Sequence, residues 1–373
     1  MNNKFDNLIF ESGDLTYEAF ERIFYGELFD ENKDVLENID FIIEMNSKNV
    51  FLEGITKRLD ELNIENDGDY KTIISILNDK FKNILGKELP RTIKEWVKGT
   101  PPGVTNRINL YDVCFALEMN IQETAEFFIK HYLNIPFNYK NREDAIFFYC
   151  ILNKKDYATV NTFLQESNNF IELDISIDTV EIFKNIKSIK DDEKFMKYLK
   201  ENCISKDHQY ERARNIIKDL IEEVKEITNS KNDSDMLREI FNIDYQALKK
   251  EKLVLNKLMP SKFVNSLPTA QDINLILEGK KTYDIIRKTL VILKFVSMYF
   301  VEPFYAKTED ELQKQIEEYF DDFEDELNML LVDCGFPPIY YRNPFDAIIL
   351  YCARSKEPIV TFWSINENRF IEE

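Results

Sequence analysis

The sequence predicts an all-α protein with two lobes, each containing one copy of a duplicated helical unit. The chain has 373 residues, enough for two or three domains, but only nine glycines. Its long amphipathic runs repeat at helical spacing, which favours helices over strands. A twelve-residue segment also occurs twice, at 139–150 as YKNREDAIFFYC and at 341–352 as YRNPFDAIILYC, with seven identical positions.

The duplication extends upstream of this segment. Leu89-Pro90 corresponds to Leu267-Pro268. At one constant offset, the matched positions are Gly99, Arg107, Leu110 and Phe115 in the first copy and Gly279, Arg287, Leu290 and Phe295 in the second. The offset is larger for the twelve-residue segment, so we expect an insertion near 297–322 of the second copy. Two copies that lie so far apart in the chain indicate two lobes and not a solenoid.

The resulting domain prediction has five segments. An N-terminal helical region covers 1–88, and the first repeat unit covers 89–152, with its sequence pattern starting near 85. A helical middle region follows over 153–266, with a long helix expected between Ile204 and Asn232. The second repeat unit covers 267–353, and 354–373 is a C-terminal tail.

Charge and composition limit the class of function. The net charge is −20, which opposes non-specific attraction to nucleic acid or to an anionic membrane. The most apolar run, Leu290 to Phe300, contains Lys294 and is too short to span a bilayer. The start of the chain lacks an apolar signal core, and the five cysteines have no metal-binding spacing. We therefore expect a cytoplasmic protein with buried, reduced thiols and no membrane partner.

The repeated segment has a helix-start pattern. Asn141 and Asn343 are predicted N-caps, and Asp144 and Asp346 are expected to return to the backbone as in a capping box. Pro344 at the first helical position fits this interpretation. The structural repeat residues are Tyr139, Asn141, Asp144, Tyr149, Cys150, Tyr341, Asn343, Asp346, Tyr351 and Cys352.

The first repeat unit contains a second pattern, LGKELPRTIKEWVKGTPP at 85–102. A turn leads to a short helix with Ile93, Trp96 and Val97 on one face, and Gly99 is placed to end it. Ala116-Leu117, Asn120-Ile121 and Glu123 follow. Together these residues resemble the lambda-repressor-like (Xre-type) helix-turn-helix family over part of the first unit. The repeated segment is also similar to that of uncharacterised bacterial proteins from low-GC Gram-positive species and their mobile elements.

The resemblance implies a recognition helix in a DNA major groove. The DNA-binding candidates are Arg91, Thr92, Lys94 and Lys98, with Asn106 and Arg107 near the DNA backbone. The second copy departs from this pattern, because Asp272, Asn274 and Glu278 stand where a DNA reader requires positive charge.

Catalytic and metal-binding motifs are absent from the sequence. His131 and His208 lack ligand spacing, and no glycine-rich phosphate loop or nucleophile elbow is present. The run Glu309 to Glu326 has ten carboxylates and one lysine, Lys314, but its apolar residues recur at helical spacing. We interpret this run as an amphipathic helix with a solvated acidic face, and a cation or basic-partner site is the alternative. We expect no cofactor, no metal and no enzymatic activity.

These observations predict a non-enzymatic, intracellular, acidic regulatory protein that binds protein partners through helix surfaces. The alternative is a sequence-specific DNA-binding transcriptional regulator that uses the first unit alone. Positive charge concentrated around 91–98 would favour the alternative.

Overall fold

The described part of the computed structural model is helical. It comprises residues 49–100, 102, 107–132, 134, 136–171, 179–232, 235–236, 268, 270–280, 283–301, 304, 306–340 and 343–362. Within these ranges the β-structure is a single isolated bridge between Asn141 and Ile204. The predicted all-α class is therefore confirmed.

The chain divides into two compact units, and the described residues pass from unit 1 to unit 2 after Gln209. The helices of unit 1 are α1 (Val50–Glu61), α2 (Tyr70–Lys80), α3 (Arg91–Val97), α4 (Arg107–Ala116), α5 (Ile121–Phe127), α6 (Arg142–Leu152), α7 (Tyr157–Ser167), α8 (Thr179–Ser188) and α9 (Asp192–Asn202). Single π-helical segments, Phe81–Leu85 and Phe128–Tyr132, continue α2 and α5.

Short polar side chains begin most of these helices. Asn49, Asp69, Asp156 and Asp191 each accept a hydrogen bond from a backbone N–H in the first turn of the following helix. Asn120 forms a complete capping box with Glu123 at the start of α5.

The core of unit 1 is rich in aromatic rings. Tyr111 stacks with Phe147 at a centroid distance of 4.7 Å, and Tyr149 stacks with Phe195 at 3.8 Å. Phe51 meets Trp96 edge to face at 5.5 Å, which connects α1 with α3. These contacts fix α3 from its inner side, because Ile93, Trp96 and Val97 are all buried.

The helices of unit 2 are α10 (Lys206–Thr228), α11 (Ala270–Leu277), α12 (Tyr283–Tyr299), α13 (Glu309–Asp333) and α14 (Pro344–Ala353). Tyr210 is the first described residue of the unit, and α10 begins four residues before it. Thr308 caps α13 and Asn343 caps α14. The predicted acidic amphipathic helix is α13, and Ile316, Phe320 and Phe323 on its inner face are buried.

The predicted insertion near 297–322 falls on the end of α12, the following connection and the first half of α13. The prediction of a duplicated unit remains a prediction. Residues 1–48 and the tail from 363 onward lie outside the described residues.

Candidate functional site

The short helix α3 carries the residues that the sequence nominates for DNA binding. Gly86 precedes the helix at φ 65°, in the left-handed region that glycine tolerates. Gly99 follows it at φ 105°, and its N–H donates to the Trp96 carbonyl at 2.9 Å. Thr100 N–H donates to the Glu95 carbonyl at 3.0 Å, which completes a glycine C-cap. The outward residues of α3 are therefore held on a short, closed element.

The positive charge on α3 is smaller than its sequence indicates. Arg91 and Thr92 are exposed, and Lys94 is half-exposed. Neither Arg91 nor Lys94 forms an ion pair with any residue that the structure describes. Lys98, in contrast, forms an ion pair with Glu95 at 3.0 Å. Asn106 lies outside the described residues.

Arg107 does not lie where the DNA-binding hypothesis requires it. The residue is 7% exposed, and its Nε donates to Asp144 Oδ2 at 2.8 Å. Its guanidinium also donates to the Pro136 carbonyl at 2.8 Å and to the Tyr111 hydroxyl at 3.0 Å. The assignment of Arg107 to a DNA backbone contact is therefore wrong, because its donors are used inside the protein.

The same arrangement occurs at the equivalent positions of unit 2. Arg287 donates to Asp346 at 2.7 and 2.8 Å and to the Pro338 carbonyl at 3.0 Å. The Tyr340 N–H donates to Asp346 Oδ2 at 2.8 Å, as the Asn138 N–H donates to Asp144 Oδ2 at 2.8 Å. Asp346 is 1% exposed. The sequence offsets that relate the two copies therefore also relate the partners of these buried bonds.

This geometry corrects the capping-box prediction. Asn141 and Asn343 do cap their helices and accept from the backbone N–H groups of Asp144 and Asp346. The aspartate side chains do not return to the cap residue; each accepts a backbone N–H from three residues before the cap and binds an arginine. The sequence signal for this pairing was present, since both arginines and both aspartates lie at positions that the predicted repeat aligns.

Most of the other repeat residues have a packing role. Tyr149, Cys150, Tyr351 and Cys352 are buried, and Tyr139 is half-buried. Tyr341 lies outside the described residues. Burial raises the pKa of the Cys150 thiol above its ordinary value, which disfavours the thiolate form. The described cysteines are all buried and unbridged.

One buried polar cluster was missed by the sequence analysis. Lys87, in the turn before α3, donates to Asp112 at 2.7 Å and to the Tyr157 hydroxyl at 2.6 Å. Tyr157 donates in turn to Asp112 at 2.6 Å. Burial raises the pKa of Asp112, whereas Lys87 and Tyr157 lower it. Because the partners of Lys87 lie far from it in the sequence, no local motif indicates the cluster.

The outward face of α13 presents three carboxylates that form no ion pair with a described residue. Glu317, Asp321 and Asp325 follow one another at four-residue spacing, and all three are exposed. No ion pair joins them to a described cation, whereas Glu309, Glu318 and Glu326 bind Lys356, Lys314 and Lys294. We call the first three residues the carboxylate row. Met329, the next residue at this spacing, is 63% exposed.

Electrostatic repulsion acts within the row. Partial burial raises the pKa of Asp321, and the neighbouring charges of Asp325, Glu317 and Asp322 raise it further, against the opposing effect of Arg354. A positively charged partner would relieve this repulsion.

A second charged surface lies on unit 1 and was also missed. Helices α8 and α9 form a hairpin in which the exposed lysines are Lys184, Lys187, Lys190, Lys194, Lys197 and Lys200. Asn185 Nδ2 donates to the Tyr198 hydroxyl at 3.2 Å, which brings the neighbouring Lys184 and Lys197 to the same level of the two helices. We call residues 184–200 the lysine hairpin. Its lysines occur singly between other residue types, so no charge run marks them in the sequence.

Metal and membrane sites gain no support from the described residues. They contain no group of three or more histidine, cysteine, aspartate or glutamate side chains arranged to hold a metal ion. None of the helices within them is long and apolar enough to cross a membrane. His131 Nδ1 lies 2.9 Å from the Val50 carbonyl, and burial lowers its pKa, which fits a packing role.

Comparisons with protein-family models, with curated proteins and with solved structures give no match to this chain.

Proposed function

We propose that the chain is a non-enzymatic regulatory protein of the cell interior that binds protein partners through helix surfaces. The carboxylate row of α13 is the observation that carries this proposal. Glu317, Asp321 and Asp325 are exposed beside the exposed Met329 and form no ion pair with a described cation, whereas Glu309, Glu318 and Glu326 of the same helix are paired. A partner with a row of cations and an apolar side chain would complement this face.

The charge distribution around α3 supports protein binding over DNA binding. Of the six DNA-binding candidates, Arg91 and Lys94 are the exposed or half-exposed cations without an ion pair to a described residue. Lys82 and Lys80, which precede α3, are paired with Glu88 and Glu118. DNA binding needs several uncompensated cations, because phosphate neutralisation supplies most of the affinity.

Two matched variants test the proposal. The row variant Glu317→Gln/Asp321→Asn/Asp325→Asn removes three unpaired charges, and the control Glu309→Gln/Glu318→Gln/Glu326→Gln removes three paired charges from the same helix. We expect a host protein captured by the wild type, once identified and purified, to bind the row variant about tenfold more weakly and the control variant within about twofold. Equal affinity for both variants would refute a role for the row.

DNA binding by unit 1 remains a second candidate, because Arg91 and Lys94 are uncompensated on a helix that follows a glycine turn. The variant Arg91→Glu/Lys94→Glu should abolish nuclease-sensitive enrichment of a discrete DNA sequence from host lysate. The control Lys218→Glu/Lys231→Glu changes the net charge equally and should retain the enrichment. Absence of any sequence enriched by the wild type would exclude this candidate.

A further inference from the structure

We propose that the lysine hairpin of one copy of the chain binds the carboxylate row of a second copy, so that the protein self-associates head to tail. This inference rests on the proposed function, because it names the basic partner of the carboxylate row.

The lysine hairpin is a concentrated positive surface on an acidic protein. It holds six lysines between positions 184 and 200, whereas the whole chain holds 48 lysines and arginines against 68 acidic residues. The acidic residues inside the segment are Asp191, Asp192 and Glu193, and Glu181 and Glu201 flank it. Two of these are engaged within unit 1: Asp191 caps α9, and Asp192 binds Lys155 at 2.8 Å.

Several of the lysines are available to a partner. Lys184, Lys194 and Lys197 are exposed and have no ion pair with a described carboxylate. Lys190 donates to the Asn153 side chain at 3.0 Å, which is a neutral contact that leaves its charge uncompensated. The hairpin therefore presents positive charge on two adjacent helices.

The two surfaces have comparable lengths. From Glu317 to Asp325 the row rises about 12 Å along α13, and from Lys194 to Lys200 the lysines rise about 9 Å along α9. Both surfaces stand on regular helices, so their charges repeat at similar intervals of about one turn. A helix face and a hairpin face of this kind can lie against each other with opposite charges in register.

Each copy carries both surfaces, so the contact would be heterologous and not isologous. The net charge of −20 opposes association at long range. At physiological ionic strength this repulsion is screened beyond about 8 Å, whereas opposite charges in direct contact are closer than that. The expected product is a reversible complex with an affinity set by local complementarity.

Sedimentation velocity of the purified full-length chain over a concentration series tests the inference. We expect the weight-average sedimentation coefficient of the wild type to rise with concentration. Two charge reversals, Glu317→Lys/Asp321→Lys/Asp325→Lys on the row and Lys184→Glu/Lys194→Glu/Lys197→Glu on the hairpin, should each weaken self-association at least tenfold. Circular dichroism verifies that both variants remain helical.

The mixture of the two reversed variants is the decisive sample. One variant retains the wild-type hairpin and the other retains the wild-type row, so an equimolar mixture should associate more strongly than either variant alone. A wild type whose sedimentation is independent of concentration overturns the inference, as does a mixture that fails to associate.

The same variants separate this inference from the proposed function. If the wild type is monomeric while an identified host protein still requires the carboxylate row, self-association is refuted and the proposed function stands. If neither self-association nor the host protein depends on the row, both are refuted.

Discussion

The buried Arg–Asp pairs of the two units form the same hydrogen bonds, but the short helices that precede them carry different charges on their surfaces. Arg107 and Arg287 each bind an aspartate and a proline carbonyl, and each aspartate accepts a backbone N–H six residues before it in the sequence. Outside this framework, α3 carries Arg91 and Lys94. The corresponding helix α11 and the residue after it carry Asp272, Asn274 and Glu278.

This comparison distinguishes the buried residues that each unit requires for folding from the exposed residues of its surface. The buried pair satisfies groups that have no access to water, so its bonds cannot change without a large cost. Exposed side chains have no such constraint. The two units therefore match at this buried pair, whereas the exposed residues of α3 and α11 differ in charge.

The largest expected effect comes from breaking the buried pairs. Arg107→Met and Arg287→Met should each destabilise the unit that contains the substitution by about 3–5 kcal/mol, because each leaves a buried aspartate without its cation. Urea unfolding, with hydrogen exchange to assign the loss to unit 1 or unit 2, measures the cost.

Pair replacement provides the control for this prediction. Arg107→Met/Asp144→Leu removes both charges and should cost less than Arg107→Met alone. Costs that differ by more than twofold between Arg107→Met and Arg287→Met would contradict the equivalence of the two sites.

Short-range features of the fold could be predicted from the sequence. Asn120, Asn141 and Asn343 cap helices, Gly99 ends α3, and the acidic run forms an amphipathic helix. Each depends on residues within one or two turns of one another, and local patterns report such interactions directly.

Long-range polar contacts could not be predicted from local sequence patterns. Arg107 was assigned to a DNA backbone contact from the helix-turn-helix resemblance, whereas its partner Asp144 lies 37 residues away in the sequence. The cluster of Lys87, Asp112 and Tyr157 joins three distant positions. The predicted repeat contained one signal of this contact. It aligns an arginine with an arginine and an aspartate with an aspartate, and such a combination is better explained by an Arg–Asp ion pair than by two unrelated roles.

Alanine substitutions at the two C-cap glycines compare how much each glycine contributes to the stability of its unit. Gly99 and Gly279 have φ values of 105° and 76°, and both donate to the carbonyl three residues earlier at 2.9 Å. Gly99→Ala and Gly279→Ala should each cost about 1–2 kcal/mol, because an L side chain is strained in this region. Urea midpoints give the cost, and Gly68→Ala, at φ 71° in a surface loop, provides a matched backbone control.

The two N-cap asparagines should contribute unequally to stability, with the larger contribution from Asn141. Asn141→Ala and Asn343→Ala each remove a cap that is worth about 1 kcal/mol. Asn141 also donates to Gln209 Oε1 at 3.1 Å inside unit 1, so its loss should cost about 1 kcal/mol more. Thermal unfolding of the two variants decides this order. A larger loss for Asn343→Ala would contradict it, and Asn141→Asp tests the cap without the donated bond.

The smallest expected effect concerns the carboxylate row, which has no counterpart among the described residues of unit 1. The pKa of Asp321 is raised in the folded protein above that of the unfolded chain, by burial and by neighbouring charges. A carboxyl group with a raised folded pKa costs stability while it is ionised, and the cost disappears as the pH falls through that pKa. Asp321→Asn should therefore stabilise unit 2 at pH 7, by less than about 0.5 kcal/mol, and the gain should vanish in acid. Glu318→Gln, which removes a carboxylate paired with Lys314 at 3.4 Å, should give no gain at pH 7 or in acid.

Calorimetric melting temperatures at pH 7 and in acid measure the stability of both variants. A stability gain from Asp321→Asn that persists in acid would mean that side-chain packing, and not repulsion within the row, is responsible.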